Sequence, residues 1–159
     1  RKKWEKQRLT DELRQERIRI EVQKGPQQAE FSIEGEGIMV EAELNNLVNV
    51  SLVLDTGATL VVLWREIADR LGIDLSKINQ DVKLKVADGR EVNAKYVVLG
   101  RIKVKDIQAD NVEAAIMVDK IEDAKFSDGL LGMSFLRRFN FKVDHKKNKL
   151  IIEKPAEQE

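Results

Sequence analysis

Val53-Leu54-Asp55-Thr56-Gly57-Ala58-Thr59 sets a carboxylate at the end of an apolar run and follows it with two residues suited to a tight turn. Upstream, Ile38-Met39-Val40-Glu41-Ala42-Glu43-Leu44 and Val48-Asn49-Val50-Ser51-Leu52-Val53-Leu54 alternate or run apolar on either side of Asn45-Asn46. That is the pattern of a β-hairpin, and its second strand delivers Asp55 at the far end. A carboxylate beside a buried strand is costly unless it has a partner or a purpose. Taken alone, the stretch reads equally well as an ordinary turn opened by Asp55, so the rest of the chain has to decide.

Downstream, Leu60-Val61-Val62-Leu63 reads as another strand. The segment Arg65-Glu66-Ile67-Ala68-Asp69-Arg70-Leu71 then puts Ile67, Ala68 and Leu71 on one helical face, with Gly72 where a C-terminal cap belongs. Residues 82–86 and 91–99 have strand character and bracket Ala87-Asp88-Gly89-Arg90, and Asp-Gly between two strand patterns is a strong hairpin signal. Further strands are expected over 102–104, 112–118, 140–143 and 150–153. Gly129-Leu130-Leu131-Gly132 leads into Ser134-Phe135-Leu136-Arg137-Arg138-Phe139, where Ser134 is expected to cap a short helix. Strands dominate and helices are few.

The chain has 159 residues, 42% of them hydrophobic, which suits a single core with an appendage. Lys plus Arg and Asp plus Glu each number 28, so no global field draws it to nucleic acid or an acidic membrane. Cysteine is absent, which removes disulfides, thiolate nucleophiles and cysteine-based zinc sites. Composition shifts at Gly25-Pro26, where a run rich in Arg, Lys, Glu and Gln gives way to apolar alternation. Residues 1–25 are therefore expected to form a charged, exposed helical linker or arm, and 26–159 the globular domain. The sequence opens on Arg1 rather than methionine, which raises the expectation of a longer precursor with a membrane anchor ahead of it. A periplasmic or membrane-anchored setting is favoured slightly over a cytoplasmic one.

In order and spacing, residues 31–154 resemble the retroviral-type (retropepsin-like) aspartic proteases, in particular their bacterial branch. The resemblance is carried by Asp55-Thr56-Gly57-Ala58, the apolar strand and short helix after it, the Ala87-Asp88-Gly89-Arg90 hairpin and Leu130-Leu131-Gly132-Met133. It implies an all-β fold, a closed barrel with short helices, preceded here by the charged helix. It also implies an aspartic endopeptidase with no cofactor or metal, acting on peptide or protein substrates. Asp55 would be catalytic, and Thr56 would brace the two catalytic loops at a dimer axis. Gly57 would let backbone N–H groups approach the carboxylates, and Ala58 would line the cleft. Leu130, Leu131 and Gly132 would pack beneath the loop without touching substrate. Ala87, Asp88, Gly89 and Arg90 would form a substrate-covering flap, although most Asp-Gly hairpins are plain surface turns.

A paired-aspartate mechanism needs two carboxylates on equivalent loops, and this chain contains a single Asp-Thr-Gly. A homodimer supplies the second. Asp88, Asp119, Asp128 and Asp144 are not followed by Thr-Gly or Ser-Gly, and Asp128, followed by Gly129, is the nearest rival. The competing reading is a protease-like dimerisation or peptide-binding module with weak catalysis, membrane-tethered or not. Other candidates read more simply. His145 falls in a polar turn, the Asn49-Val50-Ser51 sequon is buried in strand pattern, and Trp64 reads as core or interface before pocket. The basic run 142–149 lacks interleaved aromatics, so nucleic acid is not an expected partner.

Overall fold

The computed structural model describes residues 28–32, 37–85, 89–119 and 127–155. In chain order it contains β1 (Gln28–Ser32), β2 (Met39–Leu44), β3 (Val48–Leu54), β4 (Val61–Leu63), α1 (Arg65–Leu71), β5 (Asp81–Lys85) and β6 (Glu91–Val104). There follow β7 (Ile107–Met117), β8 (Gly129–Leu131), α2 (Met133–Leu136), β9 (Asn140–Asp144) and β10 (Lys149–Glu153). The charged helix expected over 1–25 and the flap residues Ala87 and Asp88 lie outside the described residues.

The hairpin around Asn45-Asn46 forms as expected. Both asparagines adopt positive φ, 53° and 56°, which matches the twist of the flanking strands, and β2 pairs with β3 from Met39↔Val53 to Leu44↔Val48. Helix α1 buries Ile67, Ala68 and Leu71 and stops at Gly72, whose left-handed φ of 72° suits a residue without a Cβ. Strand order in the larger sheet is β2-β3-β8-β4-β7-β6-β5. Strand β6 also returns to β2 through Glu43↔Lys103 and Leu44↔Ile102, so six strands close into a barrel and β5 extends beyond it. Pairing is antiparallel except for β3–β8 and β4–β7. A second sheet, in the order β1-β10-β9, joins the two ends of the described chain.

The barrel core follows from strand alternation. Leu52, Leu63, Ile102, Ile116, Leu131 and Phe135 have no solvent exposure, and each such side chain contributes about 2 kcal/mol on burial. Three features depart from the sequence reading. Strand β6 runs unbroken through Gly100-Arg101, where two strands were expected, because the β7 ladder skips only Gly100 and resumes at Arg101↔Asp110. Strand β7 begins at Ile107, five residues early, because its first half alternates buried Ile107 and Ala109 with exposed Gln108 and Asp110, and Lys105 opens the tight turn at φ 50°. Finally, Gly129-Leu130-Leu131 is itself a strand, inserted between β3 and β4.

Candidate active site

Strand β3 ends at Leu54, but its ladder with β8 continues one residue further. The Asp55 N–H donates to Leu131 O at 3.0 Å, which holds the aspartate in line with the strand. The chain then turns. Asp55 Oδ1 accepts from Gly57 N at 2.9 Å, and Asp55 O accepts from Ala58 N at 3.2 Å. Asp55 is half-buried, Ala58 is half-buried, and Thr56 and Gly57 are exposed. A Cβ on Gly57 would stand 3.2 Å from Asp55 Oδ1, crowding the carboxylate the loop presents.

The far side of the loop is pinned by the segment joining β8 to α2. Met133 N donates to Ala58 O at 2.7 Å. Gly132 lies so close that a Cβ would sit 2.0 Å from Leu60 O and 2.8 Å from Ala58 O, a separation no side chain tolerates. Leu131 is fully buried in the core. Gly132 and Leu131 thus stand against the loop from below. Leu130 does not: it is half-buried and paired with Val53 and Val62, which places these three side chains on the face opposite Leu131. Asp55, two residues after Val53 in extended chain, shares that face. Leu130, expected beneath the loop, thus lies on the other face of β8 from Leu131.

Sequence reasoning also misassigned Ser134. Gly132 is the N-cap of α2 and makes no side-chain cap, while Ser134 sits inside the helix with no solvent exposure. Its hydroxyl donates to Glu113 O at 2.6 Å and accepts from Val61 N at 2.9 Å, tying α2 to β7 and β4. Asp128 is another fixture beyond sequence reach. Its Oδ2 accepts from Ser51 N at 2.8 Å, its N–H donates to Ser51 O at 2.7 Å, and its carbonyl accepts from Trp64 N at 3.0 Å. The Asp128 carboxylate is thus committed to a backbone amide on the neighbouring strand. Asp144 is likewise committed, accepting from Lys146 N and Lys147 N at the β9–β10 turn, where His145 is exposed. At the β5–β6 end, Gly89 (φ 89°) and Arg90 are both exposed. Among the described residues no cluster of three or more His, Cys, Asp or Glu is placed to hold a metal, and no helix is long and apolar enough to cross a membrane.

A closed barrel that holds an Asp-Thr-Gly loop against a short strand and helix is the architecture of the retropepsin-like proteins. The sequence model of that description, "Aspartyl protease", matches residues 40–135, and the chain belongs to this family. A solved retropepsin-like aspartic protease from Rickettsia conorii superposes with a TM-score of 0.64 at 26% identity, covering 80% of this chain and 90% of that one. Two curated bacterial proteins are similar in sequence, both described as uncharacterized. One, from Sinorhizobium sp. and encoded in the cobV 5' region, is 34% identical over 88 residues, 55% of this chain and 36% of its own length. The other, RP867 of Rickettsia prowazekii (strain Madrid E), is 31% identical over 106 residues, 66% of this chain and 42% of its own. The chain spans less than half the length of these curated relatives.

Proposed function

We propose that this protein is an aspartic endopeptidase whose active site is completed by a second copy of the chain, each contributing Asp55. The observation that carries the reading is the Asp55 loop itself: a half-buried aspartate whose backbone N–H donates to Leu131 O and whose carboxylate accepts from Gly57 N, on a loop that turns away from the core. Two such loops meeting on a twofold axis bring together carboxylates that share a single proton, since like charges this close do not both ionise. The ionised carboxylate takes a proton from water as the oxygen bonds to the scissile carbonyl carbon. The protonated carboxyl gives its proton to the carbonyl oxygen. In collapse of the resulting diol the C–N bond breaks, one diol hydroxyl returns its proton to the ionised carboxylate, and the departing amine takes the proton held by the other carboxyl, so the dyad keeps one proton.

In this reading Thr56, exposed at the loop tip, braces the partner loop, and Ala58 lines the cleft without obstructing it. The β5–β6 hairpin carrying Ala87, Asp88, Gly89 and Arg90 covers bound substrate and excludes water. The second sheet supports a dimer. Its edge strand β9 pairs on one side with β10, and Phe141 and Val143 stand opposite Ile152 and Leu150, on the face that β10 turns to the core. They overhang that core, 39% and 45% exposed, beside a strand edge with no partner among the described residues, and a second copy would cover both.

The test is cleavage of unfolded protein by wild type and Asp55→Asn at equal concentration. Asp55→Asn is expected to lose at least about a thousandfold in kcat/KM. Undiminished turnover in Asp55→Asn would overturn the assignment.

A further inference from the structure

The two flanks of the smaller sheet are not alike. At β1, the turn between β6 and β7 closes the flank: Lys105 Nζ donates to Glu30 O and lies 4.5 Å over the Phe31 ring. At the other flank, β9 pairs with β10 alone among the described residues, and its two faces differ in chemistry. Phe141 and Val143, both exposed, lie on the face that β10 turns to the core. Asn140, Lys142 and Asp144 lie on the other, where Lys142 Nζ stands 3.9 Å from Glu153 Oε1.

Symmetry restricts how a second copy can pair with this edge. Residues opposite each other in an antiparallel ladder share a face, and a twofold axis perpendicular to the sheet keeps every residue on its own face. The axis must then run through a residue paired with its own copy, since an axis between two residues would set opposite faces against each other. Of the registers left, the one centred on Lys142 pairs all 5 residues of β9. It sets Phe141 against the partner's Val143 and Lys142 against its own copy. Like charges directly opposite are destabilising, but Glu153 stands beside each lysine, so the axis gathers ammonium and carboxylate groups in equal number.

We infer that two copies of the chain join their β9 strands in one antiparallel ladder centred on Lys142, with the Lys142–Glu153 pairs at the axis setting how tightly they hold. This rests on the shared-site reading above, and the twofold that brings Lys142 to its copy is the one that passes between the two Asp55 loops. The three strands of each copy then form a single continuous sheet, with the apolar pairs on its inner face and the charges on its outer one.

The chain contains no cysteine, so Lys142→Cys introduces a lone thiol. Residues opposite each other in an antiparallel ladder have Cα atoms about 4.5–5.5 Å apart, within disulfide reach. Under mild oxidation Lys142→Cys is expected to form a covalent dimer. Asn140→Cys is the control: it would lie about 13 Å from its own copy and should cross-link at least about tenfold more slowly. No cross-link at 142, or equal rates at 140 and 142, overturns the register. Charge reversal tests the role of the pairs. Lys142→Glu gathers carboxylates alone at the axis and should raise the dimer dissociation constant, read by sedimentation, at least about tenfold; adding Glu153→Lys should return it to within about threefold of wild type. A constant unmoved by Lys142→Glu, or not restored by the double exchange, overturns that role. If Lys142→Glu does not fold, Glu153→Lys alone, which gathers ammonium groups at the axis, is read in the same way. None of these measurements involves substrate. A cross-linked chain that cleaves nothing counts against the protease reading alone, and a cleaving enzyme without the cross-link counts against the Lys142 ladder alone.

Discussion

Ser134 joins Val61 N and Glu113 O through one hydroxyl in a site closed to solvent. Ser134→Ala would leave a buried amide without an acceptor, at a cost of about 2 kcal/mol read as a shift in urea midpoint with unchanged slope. A loss below the measurement error would mean that the hydroxyl is dispensable. Gly132→Ala should be worse, at least about 3 kcal/mol, because the clash is with the Leu60 carbonyl and not with a movable side chain. Recovery of folded, active Gly132→Ala would contradict the close approach. Asp55 was legible in the sequence because its signal is local: an apolar strand, a carboxylate and a turn in consecutive residues. Ser134 was not, because its partners lie 73 and 21 residues away, and a serine before an apolar helical segment reads first as a cap.

At the level of elements, hairpins and helix ends could be read because their chemistry is carried by their own residues: Asn45-Asn46 at the β2–β3 turn, Gly72 after α1. The inserted strand β8 could not. Three residues carry no period, and what makes them a strand is the parallel ladder to β3 and the antiparallel one to β4. The early start of β7 was missed for a related reason, since Gln108, Asp110 and Asn111 look like loop residues until β6 is seen alongside. At that place Arg101 Nε donates to Asp110 Oδ1 at 2.8 Å. The hydrogen bond from Arg101 lowers the Asp110 carboxyl from its ordinary value, and the same bond raises the Arg101 guanidinium. A carboxyl lower in the folded than in the unfolded chain contributes stability above its unfolded value and loses it as pH falls through the folded one. The pair is solvent-exposed, so the contribution is small. The melting temperature of Asp110→Asn should therefore trail wild type at neutral pH and converge with it in acid. A gap that persists in strong acid would assign the effect to something other than this ion pair. The edge strand makes its own prediction. Phe141→Lys with Val143→Lys should shift sedimentation toward monomer while leaving the circular dichroism spectrum unchanged, and an unaltered dimer would move the interface elsewhere.

For the whole molecule, closure of the barrel and the family fold were both legible, because the order of strand, turn, helix and hairpin signals admits few topologies. Among the described residues no second aspartate is presented in an Asp-Thr-Gly loop like the first, and the central claim of the proposal is that a second copy supplies it. An interface built from short loops and one edge strand can be weak, so activity should rise more steeply than protein concentration where dimerisation is incomplete. The most direct measurement is a mixing series, wild type titrated with excess Asp55→Asn under conditions of subunit exchange, with cleavage of one peptide recorded throughout. Mixed dimers carry a broken dyad, so activity should fall well below the line set by the amount of wild-type chain. Activity that follows that line, together with turnover by a sample shown to be monomeric, would contradict a site made from two copies of Asp55.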